Sequence, residues 1–198
     1  MKILIIGGGN MGLTYAQAFL RSRIVTADNL MVLCRTYEKA NHLSQHYDGR
    51  FFSDPAYCVK DADLCIFAVK PQDSGRLFAE IAPLVDPGQV FLSIMAGVRL
   101  STISDTLGVQ KVIRAMPNLP AQIGAGVTAF TSTDAVTRIE LVTVQNLLNT
   151  TGKTLYVEQE DMIDAATAIS GSGPAYVYFF MNAMIEAAKN MGFAASEA

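Results

Sequence analysis

The feature that most constrains this chain is an abrupt join near its start. Four apolar residues, Ile3-Leu4-Ile5-Ile6, run straight into Gly7-Gly8-Gly9, and a helical pattern carrying Met11, Tyr15, Ala16, Ala18 and Phe19 follows. The spacing Gly7-x-Gly9-x-x-Gly12, with a strand before it and a helix after it, is the fingerprint of a dinucleotide-binding turn. Gly7 suits the tight turn. A bare Gly9 lets a pyrophosphate approach the backbone, and Gly12 lets the helix pack close to the strand. The free N–H groups and the dipole at the helix start then favour phosphate charge. Ile6, Gly7, Gly8, Gly9, Asn10, Met11 and Gly12 are therefore the first candidate cofactor contacts. The competing reading is a βα turn that holds no ligand.

The second strand, Asn29 to Cys34, decides which nucleotide fits. NAD sites place Asp or Glu at its end to bind the ribose hydroxyls. Here the chain reads Cys34-Arg35-Thr36, with Lys39 one turn on. Arg35 can pair with a 2′-phosphate and Thr36 can offer a hydroxyl, with no carboxylate in this stretch to repel that phosphate. NADPH is the expected cofactor, with NADH possible; Arg35 as a plain solvated residue is the alternative.

The pattern then repeats. Leu64 to Val69 is a fully apolar run ending in Lys70-Pro71-Gln72, at the sheet edge where ligands sit. A helix from Asp73 to Leu84, interrupted by Pro83, leads to a strand at Val90 to Ile94 that ends in Met95-Ala96-Gly97. Ser101 to Leu107 reads as a short helix with Ser101 as its cap. Lys111 to Ala115 is a strand ending in Met116-Pro117-Asn118-Leu119-Pro120. Gly126 to Phe130, a helix over Asp134 to Asn149 stopped by Gly152, and Thr154 to Val157 complete the alternation. The expected fold is α/β, a doubly wound, mostly parallel sheet over residues 1–157.

At Glu158 the character changes. Glu158, Glu160 and Asp161 precede a helical pattern punctuated by Ser170-Gly171-Ser172-Gly173-Pro174. Negative charge suits the helix start, and proline suits the first turn of a renewed helix. Ala175 to Met191 keeps its polar residues, Asn182, Glu186, Lys189 and Asn190, on one narrow stripe. A helix with so little polar surface has to be covered. Either a partner subunit covers it or the natural protein continues past Ala198. Residues 158–198 thus read as the start of a helical, all-α second domain. The whole composition agrees: 51% hydrophobic and only 17% charged over 198 residues.

Other classes find little support. A formal charge of −3 leaves no footprint for nucleic acid. No apolar stretch reaches the length of a membrane span. Cys34, Cys58 and Cys65 form no CxxC pair and leave one unpaired, which suits a reducing, cytoplasmic setting. His42 and His46 stand four apart, yet no third ligand accompanies them, so no metal site is expected.

Taken together, the chain resembles the pyrroline-5-carboxylate reductases, which catalyse the last step of proline synthesis. The resemblance covers essentially the whole chain. It rests on IGGGNMG at 6–12, AVKPQ at 68–72, SIMAGV at 93–98, RAMPNLPAQIGAG at 114–126 and DAATAISGSGPAYVYFF at 164–180. It implies an N-terminal domain that binds NAD(P)H and C-terminal helices that interlock in a homodimer or larger homo-oligomer. It places Gly7 to Met11 at the pyrophosphate and ribose, and Arg35 and Thr36 at the adenosine phosphate. Ala68, Val69, Lys70, Pro71 and Ala96 would wall the nicotinamide. Met116, Asn118, Pro120, Ser170, Gly171, Ser172, Gly173 and Pro174 would lie on the substrate side. Further helices are implied beyond Ala198, including a Ser-Pro-Gly-Gly-Thr-Thr loop for the substrate carboxylate. Pro55 and Leu119 depart from the family pattern, which would have Asn and Thr there.

The implied reaction moves a hydride from the nicotinamide to the imine carbon of 1-pyrroline-5-carboxylate, giving L-proline. An imine that binds already protonated needs no strong side-chain acid, and the strand-end turns carry no His, Cys or carboxylate dyad. Lys70, Thr167 and Ser170 are the candidate catalytic residues; a surface lysine and helix-kink hydroxyls are the plainer readings. The alternatives are a non-catalytic dinucleotide-binding relative, or a related NADP-dependent dehydrogenase or imine reductase with another substrate.

Overall fold

The computed structural model describes residues 1–198. Ile3–Ile6 forms the first strand, β1, and all four residues are buried. Ile3 and Ile5 pack to one side of the sheet, Leu4 and Ile6 to the other. That two-sided cover explains why the strand is an unbroken apolar run. Helix α1 (Asn10–Arg21), β2 (Leu30–Leu33), α2 (Tyr37–Ser44) and β3 (Arg50–Phe52) complete the first half. The second half repeats it: β4 (Leu64–Phe67), α3 (Ser74–Ile81), β5 (Val90–Ser93), α4 (Leu100–Leu107) and β6 (Val112–Met116). Then come β7 (Gly126–Ser132), α5 (Arg138–Leu148), β8 (Gly152–Tyr156), α6 (Asp161–Ala166) and α7 (Gly173–Asn190).

The eight strands form one sheet in the order β3-β2-β1-β4-β5-β6-β7-β8. The first six are parallel, β7 runs antiparallel to β6, and β8 is parallel to β7. The strand order reverses between β1 and β4, so a crevice opens at their carboxyl ends. Tyr15 and Phe19 of α1, Leu43 of α2 and Leu147 of α5 fill one face of the sheet. Phe78 and Ile81 of α3 and Ile103 of α4 fill the other. The expected doubly wound, mostly parallel sheet is what forms.

Several local expectations need correction. β3 was not anticipated: it is a three-residue edge strand. Ser101 does not cap α4; that helix begins at Leu100 after Arg99, which makes no side-chain cap. Its first N–H, on Leu100, donates instead to the Glu160 carboxylate at 2.8 Å. Helix α5 starts later than Asp134, because Thr137 and Glu140 close a reciprocal capping box at its N-terminus. Between α6 and α7 the chain makes a π-turn over Thr167–Gly171.

The acidic cluster after β8 does more than favour a helix start. Arg114 on β6 is fully buried, and Glu160 Oε1 accepts from its Nη1 at 2.9 Å. Asp164 accepts from its Nη2, while Nε has no partner. Arg99 adds ion pairs to Asp161 at 2.9 Å and Asp164 at 3.8 Å. These bonds fasten α6 to the sheet. Helix α7, by contrast, buries none of its residues against the rest of the chain. Its Phe179 is 80% exposed, and Tyr176, Phe180 and Met184 are exposed beside it. No helix is long and apolar enough to cross a membrane.

Candidate active site

The glycine turn has the geometry its spacing promised. Gly7 sits at φ +119°, and a Cβ there would lie 2.5 Å from the Ala68 carbonyl oxygen. A Cβ on Gly12 would lie 2.0 Å from the Gly7 carbonyl oxygen, so only glycine lets α1 come this close to β1. Gly9 differs in kind: a Cβ there would meet nothing within 4 Å. Its bareness relieves no contact inside the protein and instead keeps open the space before α1. That helix has no side-chain cap, so its first N–H groups face this space. An uncapped helix start of this kind favours the charge of a phosphate.

The space continues as a cleft of about 350 Å³ along the carboxyl edge of β1, β2 and β4. Of the candidate residues, Ile6, Gly7, Gly8, Gly9, Arg35, Ala68, Val69 and Lys70 line it. Asn10, Met11 and Gly12 form the first turn of α1 beyond it. Thr36 caps α2, accepting from Lys39 N at 3.3 Å, and Pro71 opens a 3-10 turn over Pro71–Asp73. Ala96 lies in the loop after β5 and does not line the cleft. Residues not singled out also form its walls: Ser53, Asp73, Arg76, Leu77 and Glu80. They come from distant segments that only the fold brings to one edge. Pro55 lies in the wall as well, at the start of a 3-10 turn capped by Asp54.

The charge at the Arg35 end needs one correction. The stretch around Arg35 has no carboxylate at the strand end, but the folded chain supplies one. Asp73, from the segment after β4, receives the Arg35 guanidinium at 2.5 Å. Glu38 stands in the first turn of α2, its carboxyl held below the usual range by its own backbone N–H and then by the Thr36 hydroxyl. A second cavity, of about 390 Å³, lies at the opposite, amino edge among Asp63, Gln89 and Glu140. Ligands of such sheets gather at the carboxyl edge, which favours the glycine cleft.

The substrate-side candidates do come together. Asn118 Nδ2 donates to Ser170 Oγ at 3.0 Å, and Asn118 Oδ1 accepts from Val127 N at 2.9 Å. A Cβ on Gly171 would lie 2.8 Å from the Met116 methyl, so those two residues touch. The hydroxyls of the π-turn have different fates. Thr167 donates to the Ile163 carbonyl at 2.8 Å and Ser172 to the Thr167 carbonyl at 3.2 Å. Thr167 has therefore spent the proton that a catalytic donor would need. Ser170 only accepts, so its own proton is unspent. Lys70 makes no ion pair. The cysteines are free and buried; burial pushes Cys58 and Cys65 up to about 12 and raises Cys34 as well. No cluster of residues able to hold a metal is present.

Comparison with known proteins decides the family. Residues 160–198 match the model for pyrroline-5-carboxylate reductase dimerisation, and residues 2–97 match one described as NADP oxidoreductase coenzyme F420-dependent. A pyrroline-5-carboxylate reductase from Aquifex aeolicus is 36% identical over the whole of this chain, which covers 72% of that protein. The chain belongs to the pyrroline-5-carboxylate reductase family. A Mycobacterium tuberculosis member is 35% identical, with 96% of this chain and 66% of that protein covered. The fold agrees: the Coxiella burnetii reductase superposes with a TM-score of 0.87 at 27% identity, over 98% of this chain and 73% of that one. The Plasmodium falciparum pyrroline carboxylate reductase, solved with NADP bound, gives 0.85 at 26% identity over 99% and 72%. As a family member the chain is an oxidoreductase whose C-terminal helices match a dimerisation unit.

Proposed function

We propose that this chain reduces 1-pyrroline-5-carboxylate to L-proline with NADPH, its nucleotide seated on the Gly7–Met11 turn. The observation that carries this reading is the open space before α1, which Gly9 alone keeps clear. When bound, the cofactor supplies the hydride. The chain's own residues bind and orient. The N–H groups at the start of α1 hold the pyrophosphate, and Arg35 with Thr36 takes the 2′-phosphate. Ala68 to Lys70 wall the nicotinamide end of the cleft, Pro71 and Ala96 stand outside its lining, and Lys70 contributes an unpaired positive charge.

Met116, Asn118, Pro120 and the Ser170–Gly173 turn form the substrate side. Asn118 clamps Ser170, whose unspent proton faces no other acceptor in the chain. Ser170 serves as a hydrogen-bond donor to the substrate rather than as a strong acid. Residues 1–157 are the dinucleotide-binding domain, and residues 158–198 begin the helical domain that completes the substrate side and makes the assembly. Helix α7 is covered by a second copy, and the buried thiols suit a reducing cytoplasm.

The test is NADPH oxidation by the protein, with whatever C-terminal sequence its gene encodes, in the presence of pyrroline-5-carboxylate. Proline should appear in step with the NADPH consumed. Tight NADPH binding with no turnover of any cyclic imine would instead mark a non-catalytic relative.

A further inference from the structure

The glycine turn leaves β1 between two walls, because β2 and β4 are its neighbours in the sheet. Arg35 follows β2 and Asp73 follows β4, so their ion pair spans the carboxyl end of the strand that carries the glycines. Four cations line the cleft: Arg35, Lys39, Lys70 and Arg76. Of these, Arg35 alone has an ion-pair partner. The Arg35 side chain is 74% exposed, free to turn, while that of Asp73 is 35% exposed. The Asp73 side chain makes no other hydrogen bond and does not cap α3.

We propose that Asp73 tempers the preference for NADPH over NADH by holding Arg35, so that a 2′-phosphate must displace this carboxylate. This rests on the reading of Arg35 as the 2′-phosphate contact. A phosphate and a carboxylate compete for the same guanidinium fork. Asp73 also remains close enough to repel the phosphate once displaced. NADH carries no 2′-phosphate, so the pair stays closed when it binds. The effect on NADPH is modest, because exposed ion pairs are weak. Its sign is definite: Asp73 lowers the preference for NADPH that Arg35 creates.

Calorimetric binding of NADPH, NADH and adenosine 2′,5′-bisphosphate to the wild type, Asp73→Asn, Arg35→Ala and the double variant tests this without turnover. Asp73→Asn should tighten NADPH and the bisphosphate about two- to fivefold and leave NADH unchanged. In the Arg35→Ala background most of that gain should vanish, since the two side chains act as one unit. If Arg35→Ala weakens NADPH alone while Asp73→Asn leaves it unchanged or weaker, Asp73 is a support for Arg35 and the proposal is overturned. If Arg35→Ala weakens both dinucleotides equally, the 2′-phosphate reading falls and the proposal falls with it.

Discussion

At the scale of single residues, the three fingerprint glycines separate into two kinds. Gly12 and Gly7 are required by the fold, since a Cβ at Gly12 would lie 2.0 Å from a backbone oxygen. Gly12→Ala should cost about 3 kcal/mol or more, read as a lowered denaturation midpoint. A Cβ on Gly9 would meet nothing in the protein, so on the proposed reading its bareness serves the nucleotide. Gly9→Ala should unfold like the wild type, yet bind NADPH about tenfold or more weakly in a titration. The spacing of the motif already assigned turn, ligand approach and helix packing to Gly7, Gly9 and Gly12 in that order, but how closely each missing side chain would strike its neighbours is set by the fold. The same limit hid Asp73: it lies 38 positions from Arg35, and nothing local ties the two. Arg35 was visible because it stands where a strand-end carboxylate is usual. The thiols offer a third prediction. Cys58 and Cys65, pushed up to about 12 by burial, should resist neutral-pH alkylation until the protein unfolds.

At the scale of elements, burial on both faces made the central strands legible. β1 and β4 are unbroken apolar runs because neither face meets water. β3 escaped notice because an edge strand of Arg50, Phe51 and Phe52 is too short to show a period. The expected start of α5 at Asp134 falls early because it leaves out the Thr137-x-x-Glu140 capping signal, which marks the true start. Glu140 gives that helix a measurable acid limit. Burial raises its pKa, but hydrogen bonds from Lys111 and Thr137 outweigh this and leave it below the ordinary 4.5. An acid with a depressed native pKa stabilises when ionised, so its contribution holds above about pH 4.5 and fades as pH falls below it. Glu140→Gln should flatten the loss of stability between about pH 5 and 3, followed by thermal melts across that range. The join between β6 and α6 makes the opposite kind of prediction. Glu160→Ala leaves the fully buried guanidinium to Asp164 alone and should cost about 1.5–3 kcal/mol in chemical denaturation. Arg114→Met should cost less, because the carboxylates it leaves behind reach water: Asp164 is 45% exposed.

At the scale of the whole molecule, the exposed apolar length of α7 is the dominant fact. Tyr176, Phe179, Phe180 and Met184 together form an exposed apolar surface of the kind that marks an interface. Residues 160–198 match a dimerisation model, which supports a second copy as its cover. Replacing Phe179 and Phe180 with Glu should shift the light-scattering mass toward a single copy while the sheet stays folded. The need for cover was legible in the narrow polar stripe of this helix. What was not legible is how α6 is anchored, because Arg114 reads as one charge inside an apolar strand and its partners lie 46 and 50 positions on. That anchor limits how such a gene can be cut and rejoined. A hybrid that keeps this sheet but takes its tail from an unrelated protein would entomb a naked guanidinium. A hybrid that keeps the tail on a foreign sheet would carry acids with no mate. The two halves can be shuffled only where both sides of that bargain travel together.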